Sequence, residues 1–217
     1  MNAFASRLPT YSDSRKLHTK GGFKMDPLYL RMLEELHENT KGVFKDLDES
    51  EVKEVVAALL KANKIFVLGI GHSGMFGRIF AMKLNHVGLE AYTVFDEINP
   101  PFKKDDVFVA ISQSGETSSI ITLVQKAKKL GGKVVGITST PGSTLTKLSD
   151  SLLKIREYSE GGEFQSLAAI GDTKNQNLLG LLFGLSIYVL FYTIVIMIAR
   201  ERDETPASIN ARHANLQ

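Results

Sequence analysis

Cysteine and tryptophan are absent from this 217-residue chain, and proline occurs only six times. The lack of cysteine excludes disulfides, thiolate zinc sites and a cysteine nucleophile together. It suits a reducing compartment, and a cytoplasmic protein is the expectation. No continuous apolar segment stands near the start, so residues 1–24 do not read as a secretory signal. Neither sign of charge dominates, with a formal net charge of +2. Arg7, Arg15, Lys16, Lys20 and Lys24 face Asp13 alone within residues 1–24, which leaves the rest slightly acidic. That rest carries no basic stripe of the kind that binds nucleic acid. Residues 1–24 are expected to be a basic, disordered extension that does no chemistry.

What is present is enough apolar residue to fold. A chain 43% hydrophobic and 23% charged is not a disordered one, and residues 25–217 are read as a single domain. Asp26-Pro27 opens a helix over 26–41 with Leu30, Leu33 and Leu36 on one side. Asp48 and Glu51 form a capping-box pattern before a helix over 49–62, whose buried stripe is Val52, Val55, Val56, Leu59 and Leu60. Five β-rich runs follow: Lys64–Gly69, Ala91–Phe95, Val107–Ser112, Lys133–Thr138 and Leu152–Arg156. They are continuous apolar stretches, as parallel strands covered on both faces require. A helix over 117–130 stops at Gly131-Gly132. The alternation predicts a flavodoxin-like, doubly wound α/β fold with a five-stranded parallel sheet. Ligands of such sheets sit at the carboxyl ends of the strands.

One long run needs its own reading. Leu178 to Ala199 is 22 residues without a charge, long enough to span a membrane. Two glycines, Ser186, Tyr188, Tyr192 and Thr193 interrupt it, and no aromatic belt marks its ends. The α/β unit before it also lacks a closing helix. It is therefore expected to be a core and interface helix, with no membrane as partner. A helix with no polar face cannot be covered by one small sheet, so association is expected, at least as a dimer.

Two loops carry the chemistry. Gly69-Ile70-Gly71-His72-Ser73-Gly74 links the first strand to a helix and formally matches GxGxxG, with Asp96 placed 22 residues beyond Gly74. The pattern fits a dinucleotide fingerprint, a merely tight turn, or an anion site at a helix start. The chain is short of residues for a separate substrate domain, which disfavours the dinucleotide. After the third strand, Ser112-Gln113-Ser114-Gly115-Glu116-Thr117-Ser118-Ser119 holds five hydroxyls in eight residues. Such a nest suits a phosphate monoester without a P-loop lysine or magnesium. Thr138-Ser139-Thr140 adds hydroxyls at the same edge, suited to a sugar.

The pairing of GIGHSG with ISQSGET resembles the sugar isomerase (SIS) domain family. The likeness runs from about Met25 to Gln217. It includes Phe80-Ala81-Met82-Lys83-Leu84-Asn85-His86-Val87-Gly88, the segment Asp96-Glu97-Ile98-Asn99-Pro100, and the closing Ala211-Arg212-His213-Ala214-Asn215-Leu216. That closing stretch is similar to the 6-phospho-3-hexuloisomerase branch. The resemblance implies a sugar-phosphate ligand, a tetramer, no cofactor and no metal. It also implies phosphate held by Ser73, Ser112, Ser114 and Thr117; Gly71, His72, Gln113, Gly115 and Thr138, on the same loops and edge, are expected as further substrate contacts. Two positions depart from the family pattern. His72 stands where the branch usually has arginine, and Gly184, in Gly180-Leu181-Leu182-Phe183-Gly184, stands where the family supplies its general-base glutamate.

The implied reaction moves a proton between adjacent carbons through a cis-enediol, so it needs a base and a group that steadies the enediolate. His213 and Glu97 are the expected catalytic residues, with His213 reaching a neighbouring subunit. Glu163, in a glycine-flanked loop, and Asp172 are the other carboxylates considered. His86 reads as a cap or interface residue, and His18 and His37 as exposed. The five histidines show no metal-ligand spacing. With Gly184 in the base position, a non-catalytic sugar-phosphate sensor is the alternative.

Overall fold

The computed structural model describes residues 27–155 and 176–215. The basic extension, Glu163 and Asp172 lie outside the described residues. In chain order the elements are α1 (Pro27–Lys45), α2 (Glu49–Leu60), β1 (Ile65–Gly69), α3 (His72–His86), β2 (Ala91–Thr93) and β3 (Val107–Ile111). They continue with α4 (Ser118–Lys129), β4 (Lys133–Thr138), α5 (Thr144–Leu148), β5 (Ser151–Lys154), α6 (Gln176–Glu201) and α7 (Pro206–Asn210). All five strands run parallel in the order β2-β1-β3-β4-β5. The doubly wound sheet expected from the apolar runs is borne out.

Strand period explains the two cores. Ile65 and Val67 of β1, Val107, Val109 and Ile111 of β3, and Val135 and Ile137 of β4 face α2, α3 and α6. Phe66, Leu68, Phe108, Ala110 and Val134 point the other way, onto Ile120, Val124 and Ala127 of α4 and Leu145 of α5. Alternate residues thus enter opposite layers, so the central strands β1 and β3 are apolar at every position. Phe80 of α3 stacks on Phe191 of α6 at 4.2 Å, both rings buried. A ring buried in this way is worth about 3–5 kcal/mol when truncated to alanine.

α6 is the long apolar run, and 56% of its most apolar window is buried inside this one chain. Leu182, Phe183, Ile187, Leu190, Phe191, Ile194 and Ile198 belong to the first core. Leu181, Val189 and Ile196 stay exposed along the opposite side. Leu30 and Leu33 of α1 are exposed as well, and Val43 near the end of that helix is its buried anchor. At α2, Asp48 accepts from the Ser50 amide at 2.8 Å, as an N-cap should. Glu51 does not complete a capping box. It accepts from the Lys154 amide at 2.9 Å and pairs with the Lys154 ammonium, tying α2 to β5. A strand-end amide and a cation together outcompete the single cap amide that the pattern offers.

Candidate active site

The order of the strands locates the site. The chain leaves β1 for β2 on one side and restarts at β3 on the other, so the crevice opens above β1 and β3. Gly69 pairs with Ile111 in register, which starts the two signature loops side by side, about 4.8 Å apart. α3 and α4 then begin at this crevice. The caps at α2, α5 and α7 are side chains, namely Asp48, Ser143 and Thr205. α3 and α4, capped by Gly71 and Thr117, have no side-chain cap bond. Their first amides are therefore left to an external acceptor, and both helix dipoles favour an anion there.

The three glycines of the first loop serve two purposes. A Cβ on Gly69 would stand 2.7 Å from the Ser73 backbone, and one on Gly74 2.7 Å from the Gly69 carbonyl. These two let α3 press onto the end of β1. Gly71 differs, for it has φ +58° and nothing within 4 Å of a Cβ. It provides the left-handed turn and keeps that side of the loop open. The dinucleotide reading loses ground here, because two glycines are used for packing. Asp96 is also engaged, accepting from the Thr93 hydroxyl at 2.6 Å and lying 3.4 Å from Arg78.

The second loop braces itself from within. Ser112 is buried; its Oγ accepts from the Gly115 amide at 3.1 Å and lies 2.9 Å from Thr117 Oγ1. Gly115 has φ +64°, and a side chain there would land on the Ser143 hydroxyl. The Gln113 carbonyl is the anchor, receiving the Thr138, Ser139 and Thr140 hydroxyls at 2.9, 3.1 and 3.1 Å, and the Ser139 amide at 3.1 Å. Thr138 is thus fully buried, with its Oγ1 also accepting from the Thr140 amide. This departs from its expected contact with substrate: the hydroxyls after β4 turn to the Gln113 carbonyl and hold the Ser112–Thr117 loop in shape. Ser114 remains exposed, with its Oγ accepting from the Glu116 amide at 3.3 Å.

The Glu116 carboxylate and Ser143 carried no expectation of their own from the sequence. The Glu116 carboxylate accepts from the Thr144 amide at 2.7 Å, and the Thr144 backbone and side-chain bonds hold its pKa below the usual glutamate range. It clamps the loop to the start of α5. The signal was present in Ser143-Thr144-Leu145, an N-cap ahead of a helix, but its partner lies 28 residues earlier.

The expected catalytic residues are dispersed. Glu97 is exposed at the carboxyl edge beside Ile98. His213 stacks on His86 at 3.9 Å, at the far end of α3. His72 stands at the other end of this 15-residue helix, roughly 21 Å away along its axis. Within one chain His213 does not meet the two loops, so acting on them requires the crevice of a second copy. Arg212 explains the local docking of this tail, donating to the His86 carbonyl at 3.1 Å and to Glu204 at 2.7 Å. Arg202 donates to the Gly88 carbonyl at 3.2 Å, so two arginines satisfy the carboxyl end of α3. Arg212 and Ser208 hold the Glu204 carboxyl below its usual range. Burial, then His213 and Lys83, push the His86 imidazole below the ordinary histidine value.

The two departures from the family pattern turn out to be neighbours. A Cβ on buried Gly184 would stand 2.5 Å from His72 Cε1, 2.9 Å from its Nδ1 and 2.9 Å from Phe76 Cε2. The imidazole lies where a side chain on residue 184 would begin. It also meets Phe76 edge-on at 4.6 Å, and Phe76 leans on Tyr188 at 5.5 Å. Among the described residues no group of three acidic, histidine or cysteine side chains is placed to hold a metal ion.

A parallel sheet reversed at β1/β3, with two uncapped helix starts at the reversal, is the frame of an α/β phosphate-binding protein. The chain belongs to the SIS domain family, whose model matches residues 58–173, as the two loops led us to expect. It is 32% identical over 188 residues to an uncharacterized protein of Archaeoglobus fulgidus, covering 87% of this chain and 100% of that one. Against the 3-hexulose-6-phosphate isomerase of Bacillus subtilis, identity is 30% over 190 residues, with 86% and 95% covered. Among solved structures, a Methanococcus jannaschii protein with an inferred molecular function of 3-hexulose-6-phosphate isomerase superposes with a TM-score of 0.71. That match is 25% identical and covers 85% of this chain and 98% of the other.

Proposed function

We propose that this protein is a sugar-phosphate isomerase, interconverting phosphorylated keto-hexoses of the 3-hexulose 6-phosphate and fructose 6-phosphate type through a cis-enediol. The observation that carries the reading is the pair of uncapped helix starts, α3 and α4, meeting at the β1/β3 crevice. A phosphate monoester supplies the acceptors these amides lack, and Ser73, Ser114 and Thr117 stand beside them. Ser112, Gln113 and Gly115 shape the loop that presents those groups. Relatives named 3-hexulose-6-phosphate isomerase support the substrate class. The exposed stripe of Leu181, Val189 and Ile196 on α6 supports association between copies, which is also how His213 would reach a crevice.

The test compares thermal stabilisation and turnover. Fructose 6-phosphate at 100 times its dissociation constant should add about 2.7 kcal/mol of stability, while fructose and NAD add none. Conversion to a second ketohexose phosphate should then appear by NMR. Stabilisation by NAD alone would sink the reading. A second reading, a sugar-phosphate sensor, is favoured by one observation: residue 184, at the wall beside the loops, has no side chain. It requires binding of fructose 6-phosphate without any turnover.

A further inference from the structure

The imidazole of His72 is held in a way that a phosphate contact does not require. It is the first residue of α3, three positions beyond Gly69, at the mouth of the crevice. One side of the ring rests on the bare backbone of Gly184, and Phe76, one turn further along α3, closes a second side. Gly184 is buried while His72 is exposed, so the ring is wedged against α6 on one side and open on the other. Among the described residues, neither ring nitrogen has a hydrogen-bond partner. The carboxylates of the same edge, among the described residues, are otherwise placed. Glu116 holds Thr144, Asp96 holds Thr93, and Glu97 sits on the exposed loop after β2. Among the described residues, His72 is thus a proton-accepting group set at the first turn of one of the two anion-ready helices.

We infer that His72 is the catalytic base of this protein, its imidazole occupying the space that residue 184 leaves open by being glycine. The inference rests on the isomerase reading above and assigns the group that performs it. A neutral ring nitrogen takes the proton from the carbon beside the carbonyl. The electron pair of that C–H bond becomes the C=C bond of an enediolate, and the carbonyl pair moves onto its oxygen. The two phosphate-side helix starts hold the substrate while negative charge develops. The imidazolium then returns the proton to the neighbouring carbon, a hydroxyl proton passes between the two oxygens, and the carbonyl reforms one position along. No oxidant or reductant enters.

The experiment follows solvent deuterium into fructose 6-phosphate in D₂O by NMR, with binding read in the same samples from the phosphorus resonance. Wild type, His72→Gln and His72→Ala are compared, each checked for an unchanged melting temperature. Exchange by wild type, a loss of about 10²–10⁴-fold in both variants, and retained phosphate binding are the expected results. Added imidazole should restore exchange to His72→Ala, because the free ring fits the space the side chain left; a purely structural residue would not respond. Exchange by His72→Gln within threefold of wild type would overturn the role of His72 and leave the isomerase reading standing. A wild type that binds fructose 6-phosphate and never exchanges would overturn both.

Discussion

Adding a single methyl group at Gly184 separates a catalytic wall from a packing convenience. The Cβ of Gly184→Ala would stand 2.5 Å from His72 Cε1 and 2.9 Å from both His72 Nδ1 and Phe76 Cε2, where ordinary contacts begin near 3.4 Å. The ring must therefore retreat by roughly 1 Å, a displacement that can cost about 10²-fold in rate when it moves a reacting group. Stability should change little. Alanine gains up to about 1 kcal/mol over glycine inside a helix, and overpacking costs about 1–3 kcal/mol. The cost falls at the low end, because His72 is exposed and can swing outward. A net change within about 1 kcal/mol moves the melting temperature by about 2–4 °C at this size. Deuterium exchange should meanwhile fall about 100-fold, and Gly184→Ala added to His72→Ala should cost nothing further, because both act on one ring. Unchanged exchange in Gly184→Ala would refute the wall. A fall of more than about 10 °C in melting temperature would show that Gly184 serves core packing instead.

Two further outcomes follow from the loops and from the far end of α3. Gly115→Ala places a side chain on Ser143 at φ +64° and should weaken fructose 6-phosphate binding at least about tenfold by calorimetry. Gly142→Ala, at φ +74° with nothing within 4 Å, should cost about 1–2 kcal/mol of stability alone; equal binding losses in both would disprove the loop argument. At His86 the folded pKa is depressed, chiefly by burial, so the unfolded chain takes up the proton first. Its contribution is full above the ordinary histidine value of about 6.5 and is lost as pH falls through the lower folded value. Melting temperature should drop between pH 7.5 and 5.5 in wild type and drop less in His86→Asn.

Much of the fold was legible because its signals are local. Continuous apolar runs such as Val107–Ile111, separated by helices, encode strands buried on both faces, and Gly131 at φ +83° ends α4 as the glycine pair implied. Boundaries moved by a residue or two, as at β2, which stops at Thr93. The Asp48/Glu51 pattern misled in one half, because Lys154 lies 103 residues from Glu51 and offers it a stronger partner. Sequence separation, not weakness of the signal, set that limit.

The site shows the same limit more sharply. The turn at Gly71 and the Ser112–Thr117 loop, the parts proposed to meet an anion, were readable as strand-turn-helix units because strand, turn and helix start are contiguous. Thr138 was misplaced for the opposite reason: a hydroxyl near a ligand edge looks identical whether it faces the ligand or, as here, the Gln113 carbonyl. His72 and Gly184 each looked like a defect when taken singly, one a lost cation and the other a lost carboxylate. They lie 112 residues apart in sequence and in contact in space. An imidazole wedged at the mouth stands where a side chain at 184 would begin, and a side chain at 184 would push the imidazole from this position. The two positions therefore count as one change, and the single-site loss inferred from Gly184 does not by itself predict an inert protein. Activity has to be judged on the ring that fills the space.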